Sequence, residues 1–175
     1  MTIAVIAIVI AAIIAALLVY VSAKPDTFRI QRSAAIAAPP EKIFPHLNDL
    51  RAHLAWSPFE KDPAVKRTMS PASAGKGAVY EWNGNREVGA GRIAITDSVP
   101  SSKVVLSLDM IKPFPANNTV EYTLEPKGNT TAVTWAMSGK QPFMFKLMST
   151  FIDCEKMVGS QFELGLANLK AIAER

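Results

Sequence analysis

Residues 3–21 form one unbroken apolar run, and no charged side chain precedes Lys24. Wound as an α-helix at about 1.5 Å per residue, the run is about 28 Å long, close to the ~30 Å hydrocarbon core of a bilayer. It has no polar face, so it does not read as a helix packed on one side of a soluble core. Two readings remain: a permanent membrane anchor over residues 1–23, or a cleaved secretory signal with Val21-Ser22-Ala23 as a small-residue cleavage site. The length of the run and the lack of a basic side chain ahead of it favour the anchor. Lys24, Arg29 and Arg32 follow closely. The positive-inside rule then puts the C-terminal side in the cytoplasm.

Residues 24–27 read as a hinge, and residues 28–175 as a single domain large enough for one core. Cys154 is the only cysteine, so an intrachain disulfide is excluded. The net charge of +4 is spread along the chain. Without a basic run interleaved with aromatics, nucleic-acid binding has no support.

Alternating patterns dominate the domain. Phe28, Ile30, Ala34 and Ile36 share one parity, which Arg32 interrupts, so a bulge or an edge strand is expected there. Pro39-Pro40-Glu41 opens a short helix, and residues 50–56 form another, stopped by Ser57-Pro58. Strands are expected at 65–69, 78–82, 88–96 and 103–111, with a turn at 113–118. Further strands carry Val120, Tyr122 and Leu124, then Val133, Trp135 and Met137. Their short connections require antiparallel pairing. From Pro142 onward, Leu147, Phe151, Cys154, Val158, Phe162 and Leu169 recur at helical spacing. The pattern predicts one amphipathic helix of about 30 residues, about 45 Å long. Gly159 and Gly165 weaken that helix but permit close approach. An apolar sheet face and an apolar helix stripe must bury each other. The expected class is therefore α+β, a curved antiparallel sheet wrapped around the terminal helix.

This order resembles the helix-grip fold of the SRPBCC superfamily, which includes START-like lipid-transfer domains and polyketide cyclase/dehydrase-like proteins. The resemblance runs from Phe28 to the C-terminus. It is carried by Ile36-Ala37-Ala38-Pro39-Pro40-Glu41-Lys42-Ile43-Phe44, Leu54-Ala55-Trp56-Ser57-Pro58 and Tyr80-Glu81-Trp82. Gly89-Ala90-Gly91-Arg92-Ile93 and Gly165-Leu166-Ala167-Asn168-Leu169-Lys170 complete it. It is strongest to the polyketide cyclase/dehydrase-like branch. It implies a hydrophobic small molecule or lipid held between sheet and helix, with no cofactor, and it does not by itself imply catalysis.

The aromatic and sulfur-bearing residues suited to such a cavity are Trp56, Phe59, Tyr80, Trp82, Tyr122 and Trp135. Met137, Met148, Phe151 and Phe162 join them, with Leu106 and Leu108 from the strand between. Singly, each is as good a core residue; together with the resemblance they point to a pocket.

Other chemistry finds less support. His46 and His53 lie seven residues apart and read as surface or helix-end histidines, not metal ligands. Cys154 reads as a small buried hydrophobe. Gly89-Ala90-Gly91-Arg92-Ile93-Ala94 fits a dinucleotide pattern in the wrong context and reads as a bend or bulge in a sheet. Asp109 reads as facing water; Glu81 alternates with Tyr80 and Trp82 and enters the pocket only if the inner face is the other one. Three functions are thus weighed: a membrane-tethered hydrophobic-ligand binder, a cyclase- or dehydratase-like enzyme using Glu81, Arg92 or a histidine, and an interaction module with a filled core.

Overall fold

The structure is a computed structural model and describes residues 2–175. The apolar run is a single helix, α1 (Thr2–Ser22), long and apolar enough to cross a membrane. Apart from half-buried Leu17, residues 2–20 are exposed, and Val21 is fully buried.

Beyond it come β1 (Thr27–Ile36), α2 (Pro40–Asn48), α3 (Leu50–His53), β2 (Lys66–Met69), β3 (Val79–Asn83) and β4 (Ala90–Val99). The chain continues through β5 (Lys103–Lys112), β6 (Ala116–Lys127), β7 (Thr130–Lys140), α4 (Phe143–Phe151) and α5 (Cys154–Ala173). The strands form one antiparallel sheet in the order β1-β7-β6-β5-β4-β3-β2. Period-two alternation sets its register: Val120, Tyr122 and Leu124 of β6 stand opposite Met137, Trp135 and Val133 of β7. The inner face of the sheet closes on α5 through Phe162, Leu166 and Leu169, and α2 and α3 cover one end with Ile43, Leu47 and Leu50. This is the helix-grip architecture, an α+β fold.

The terminal helix departs from expectation. It is two helices, because Ile152 is extended (φ −120°, ψ 126°) and the Asp153 carboxylate accepts the Lys156 amide at 2.9 Å. A capping aspartate starts a new helix where the apolar periodicity alone would continue the old one. Only α5 is gripped by the sheet; α4 turns toward α1.

Arg32 creates no bulge. β1 pairs with β7 in unbroken register as an edge strand, and Arg32 lies on its inner parity. The guanidinium crosses α5 at Gly159, where a Cβ would collide with it, and reaches Glu163 at 2.8 Å. The bulge expected in the glycine-rich strand does occur, between Ala90 and Gly91. The turn expected at 113–118 is shorter, since β6 already begins at Ala116.

Residues 24–27 are tied down on both sides. Lys146 Nζ donates to the Lys24 carbonyl at 2.7 Å and to Asp26 Oδ1 at 2.6 Å, and Lys24 Nζ donates to Thr150 Oγ1 at 2.8 Å. The Lys146 ammonium holds the Asp26 carboxyl below its ordinary value.

Candidate ligand-binding cavity

The segment between α3 and β2 crosses the concave face of the sheet and is pinned at several points. Trp56 donates its indole N–H to the His46 carbonyl at 3.0 Å, while Asn168 of α5 donates to the Trp56 carbonyl at 3.1 Å. Glu60 accepts from the Tyr80 hydroxyl at 2.9 Å and from Arg67 Nη2 at 2.7 Å. Asp62 accepts the amides of Ala64 at 2.9 Å and Asn85 at 3.0 Å. Buried Asp62 and half-buried Glu60 are thus both occupied by protein donors, as carboxylates withdrawn from water must be.

Beneath this segment lies a cavity of about 380 Å³ bounded by β3 to β7 and α5. Its walls are mainly aromatic. Trp135 stacks on Phe162 with ring centroids 4.3 Å apart and planes 10° apart, and Tyr122 lies 5.2 Å from Trp135. Tyr80 stacks on Trp82 at 5.9 Å. Burial, then the hydrogen bond to Glu60, pushes the Tyr80 phenol up to about 12, and burial pushes Tyr122 up as well. Both hydroxyls are protonated at neutral pH.

A second, more open groove of about 900 Å³ runs between β1, β7, the β5–β6 turn, α4 and the start of α5. It adjoins the cavity at Met110, Asn118, Met137 and Val158, which line both.

The twelve residues expected to surround a ligand divide among three places. Phe59, Tyr80, Trp82, Leu108, Tyr122, Trp135, Met137 and Phe162 line the cavity. Met148 and Phe151 line the groove instead, carried there by the break at Ile152, and Phe151 is 73% exposed. Trp56 and Leu106 line neither; both are packed solid in the core. Leu106 shares the inner parity with Leu108 but sits one step deeper, where no space is left.

His53, read as a surface or helix-end histidine, ends α3 but is buried, lining the cavity with its ring 6.0 Å from that of Tyr122. Nε2 lies 2.8 Å from the Leu47 carbonyl, so it carries the proton and leaves Nδ1 as the lone-pair nitrogen. Burial lowers the pKa of this imidazole, outweighing the Leu47 carbonyl, Asp49 and Glu60, which favour its charged form. The signal was present in sequence: Leu50, His53 and Trp56 fall on one helical face. Glu60 and Asp62 carried no such signal, because the partners that tie them to the sheet side, Tyr80 and Asn85, are about 20 residues on.

Glu81, Arg92 and Asp109 form a cross-strand row on the outer face, with Arg92 at 3.6 Å from Glu81 and 3.7 Å from Asp109. None lines the cavity. Cys154 is half-buried and lines the groove, so it is not the core residue expected. Among the described residues no cluster of three or more His, Cys, Asp or Glu is arranged to hold a metal.

The family model described as polyketide cyclase / dehydrase and lipid transport matches residues 27–174. No curated protein matches the sequence. Among solved structures, the di-domain ARO/CYC StfQ from the steffimycin biosynthetic pathway superposes with a TM-score of 0.63 at 12% identity, over 85% of this chain and 51% of its own. Protein CV1439 from Chromobacterium violaceum gives 0.60 at 16% identity, over 87% and 99%. The Aha1 dimer from Colwellia psychrerythraea gives 0.60 at 19%, over 84% and 96%. At such identities the likeness is one of fold.

Proposed function

Because the chain belongs to the polyketide cyclase/dehydrase and lipid transport family, we propose that it binds one hydrophobic small molecule between sheet and α5 while tethered to a membrane by α1. The observation that carries this reading is the aromatic cavity beneath the 57–65 segment, with Glu60 and Asp62 already satisfied at its wall. Each 100 Å² of apolar ligand surface buried there contributes about 2.5 kcal/mol. At about 30 Å³ per water-sized group, the cavity admits about a dozen such groups, a compact ring system or a short chain. Residues 1–23 serve as anchor and residues 28–175 as the binding domain, facing the cytoplasm by the positive-inside rule. Tethering raises the local concentration of a ligand that partitions into lipid.

The test is binding of 1-anilinonaphthalene-8-sulfonate to the full chain in lipid nanodiscs, with native mass spectrometry for any retained apolar molecule. Leu108→Trp, which projects into the cavity, abolishes binding on this reading. Equal binding by parent and variant sinks it.

A cyclase- or dehydratase-like activity is the second reading, and His53 favours it. A neutral imidazole on the wall of an apolar cavity is the arrangement a general base needs. Turnover of an aromatic polyketide mimic that vanishes in His53→Gln while binding persists would establish it. A cavity of about 380 Å³ speaks against a filled-core interaction module.

A further inference from the structure

Resting on the anchor reading above, the geometry points to α4 and the β5–β6 turn as a membrane-embedded portal, through which a single hydrocarbon tail passes from the bilayer into the groove.

The position of α4 relative to the membrane follows from its ties to α1. Lys146 and Lys24 lock α4 to the C-terminal end of α1 through the four-way contact with Asp26 and Thr150. Tyr20 and Lys24 mark the level where α1 leaves the hydrocarbon: the Lys24 ammonium lies 5.4 Å from the centre of the exposed Tyr20 ring. Aromatic rings and lysines gather at that depth in spanning helices. A helix bonded to Lys24 therefore lies in the interface.

The outward surface of α4 suits that location. Its only charged residue is Lys146, which is turned inward and buried. What α4 shows outward includes Phe143, Met144 (70% exposed) and Phe151, followed by Ile152. Across the groove mouth the β5–β6 turn shows Phe114. Phe114 meets Phe145 of α4 edge-on at 6.3 Å and bridges the two halves of the rim. A contiguous exposed apolar rim joined to a membrane-length helix is matched by lipid, which leaves none of these side chains in water.

Behind the rim lies the groove, with Met148 and Phe145 on its helical wall and Phe28 and Ile30 on the sheet. At about 30 Å³ per water-sized group its 900 Å³ exceeds the inner cavity more than twofold, enough for one long tail. Its charged lining is balanced, Arg29 and Lys140 against Asp153 and Glu155, so the groove sets no preference for headgroup charge. Met110, Asn118, Met137 and Val158 stand where groove meets cavity.

The test uses the full chain in phosphatidylcholine vesicles. Cys154→Ser removes the native thiol, and one fluorescent reporter is attached at Met144→Cys, Phe151→Cys, Ile13→Cys or Asn129→Cys. Asn129 lies in the β6–β7 turn, at the opposite end of β6 from the rim. The expected result is quenching at 144 and 151 by lipids carrying a nitroxide near the headgroup, at 13 by nitroxides deep in the chains, and at 129 by neither. Reporters at 144 and 151 that behave like 129, while 13 is quenched, overturn the portal and leave the anchor standing. No quenching at 13 removes both. A second arm follows cis-parinaric acid from the vesicles into the protein by energy transfer from tryptophan. Met144→Asp, at an exposed site outside the groove lining, slows transfer about tenfold with Kd unchanged. An unchanged rate overturns the tail route, and no transfer to the parent chain overturns both the route and the binding reading.

Discussion

His53 makes the cavity wall sensitive to pH, and the size of the effect can be worked out. Its ring is buried, donates to the Leu47 carbonyl at 2.8 Å and packs 5.0 Å from the Trp56 ring. Burial holds its pKa below the ordinary 6.5. The folded pKa is depressed, so the stabilisation is present above the unfolded value and is lost as the pH falls below it. Under acid the unfolded chain takes up a proton that the folded chain refuses. The slope cannot exceed about 1.4 kcal/mol per pH unit for one proton. Between about pH 7.5 and about pH 5.5, a window centred on the unfolded value, the loss reaches at most about 1.4 kcal/mol. The assay is urea unfolding of the full chain in nanodiscs, followed by tryptophan fluorescence. His53→Gln keeps a donor for Leu47 and removes the titration. The parent midpoint should fall with acid more than that of the variant. Parallel midpoints across the window would refute the argument, since the pH dependence would then belong to other groups.

Other outcomes follow from the same geometry. Gly165→Ala sets a Cβ 2.6 Å from the Trp135 ring and 3.0 Å from Pro58. Overpacking of about 1–3 kcal/mol outweighs the ~1 kcal/mol helix gain, so the urea midpoint falls, and a rise would contradict the packing. Ultraviolet titration should find one phenol ionising at about 12, absent in Tyr80→Phe. The raised folded pKa means stability present below pH 10 and lost as the pH climbs toward about 12. Met137→Trp adds bulk at the lining that groove and cavity share. It should block probe binding in the cavity while parinarate still enters the groove, and joint loss of both would show the two spaces are not separable there. Lys146→Met removes the donors to Lys24 and Asp26, so amide exchange over residues 24–26 should accelerate; unchanged exchange would mean that backbone contacts alone hold the junction.

Sequence by itself determined the elements whose cause is local. Nineteen apolar residues without a charge can only make a membrane-length helix, and alternation at Val120, Tyr122 and Leu124 can only make a strand with one buried face. Six of the twelve expected pocket residues, Tyr80, Trp82, Leu108, Tyr122, Trp135 and Met137, reached the cavity because strand parity fixes which face a side chain takes. Parity does not say how deep along that face empty space begins. Leu106 and Leu108 share a parity, yet only Leu108 meets the cavity. The break at Ile152 was hidden because the apolar spacing runs through it, although the Asp153 cap that starts α5 is local. A helix period is written in neighbours along the chain. A cavity is the volume left when distant surfaces meet, and only the folded molecule decides where they fail to touch.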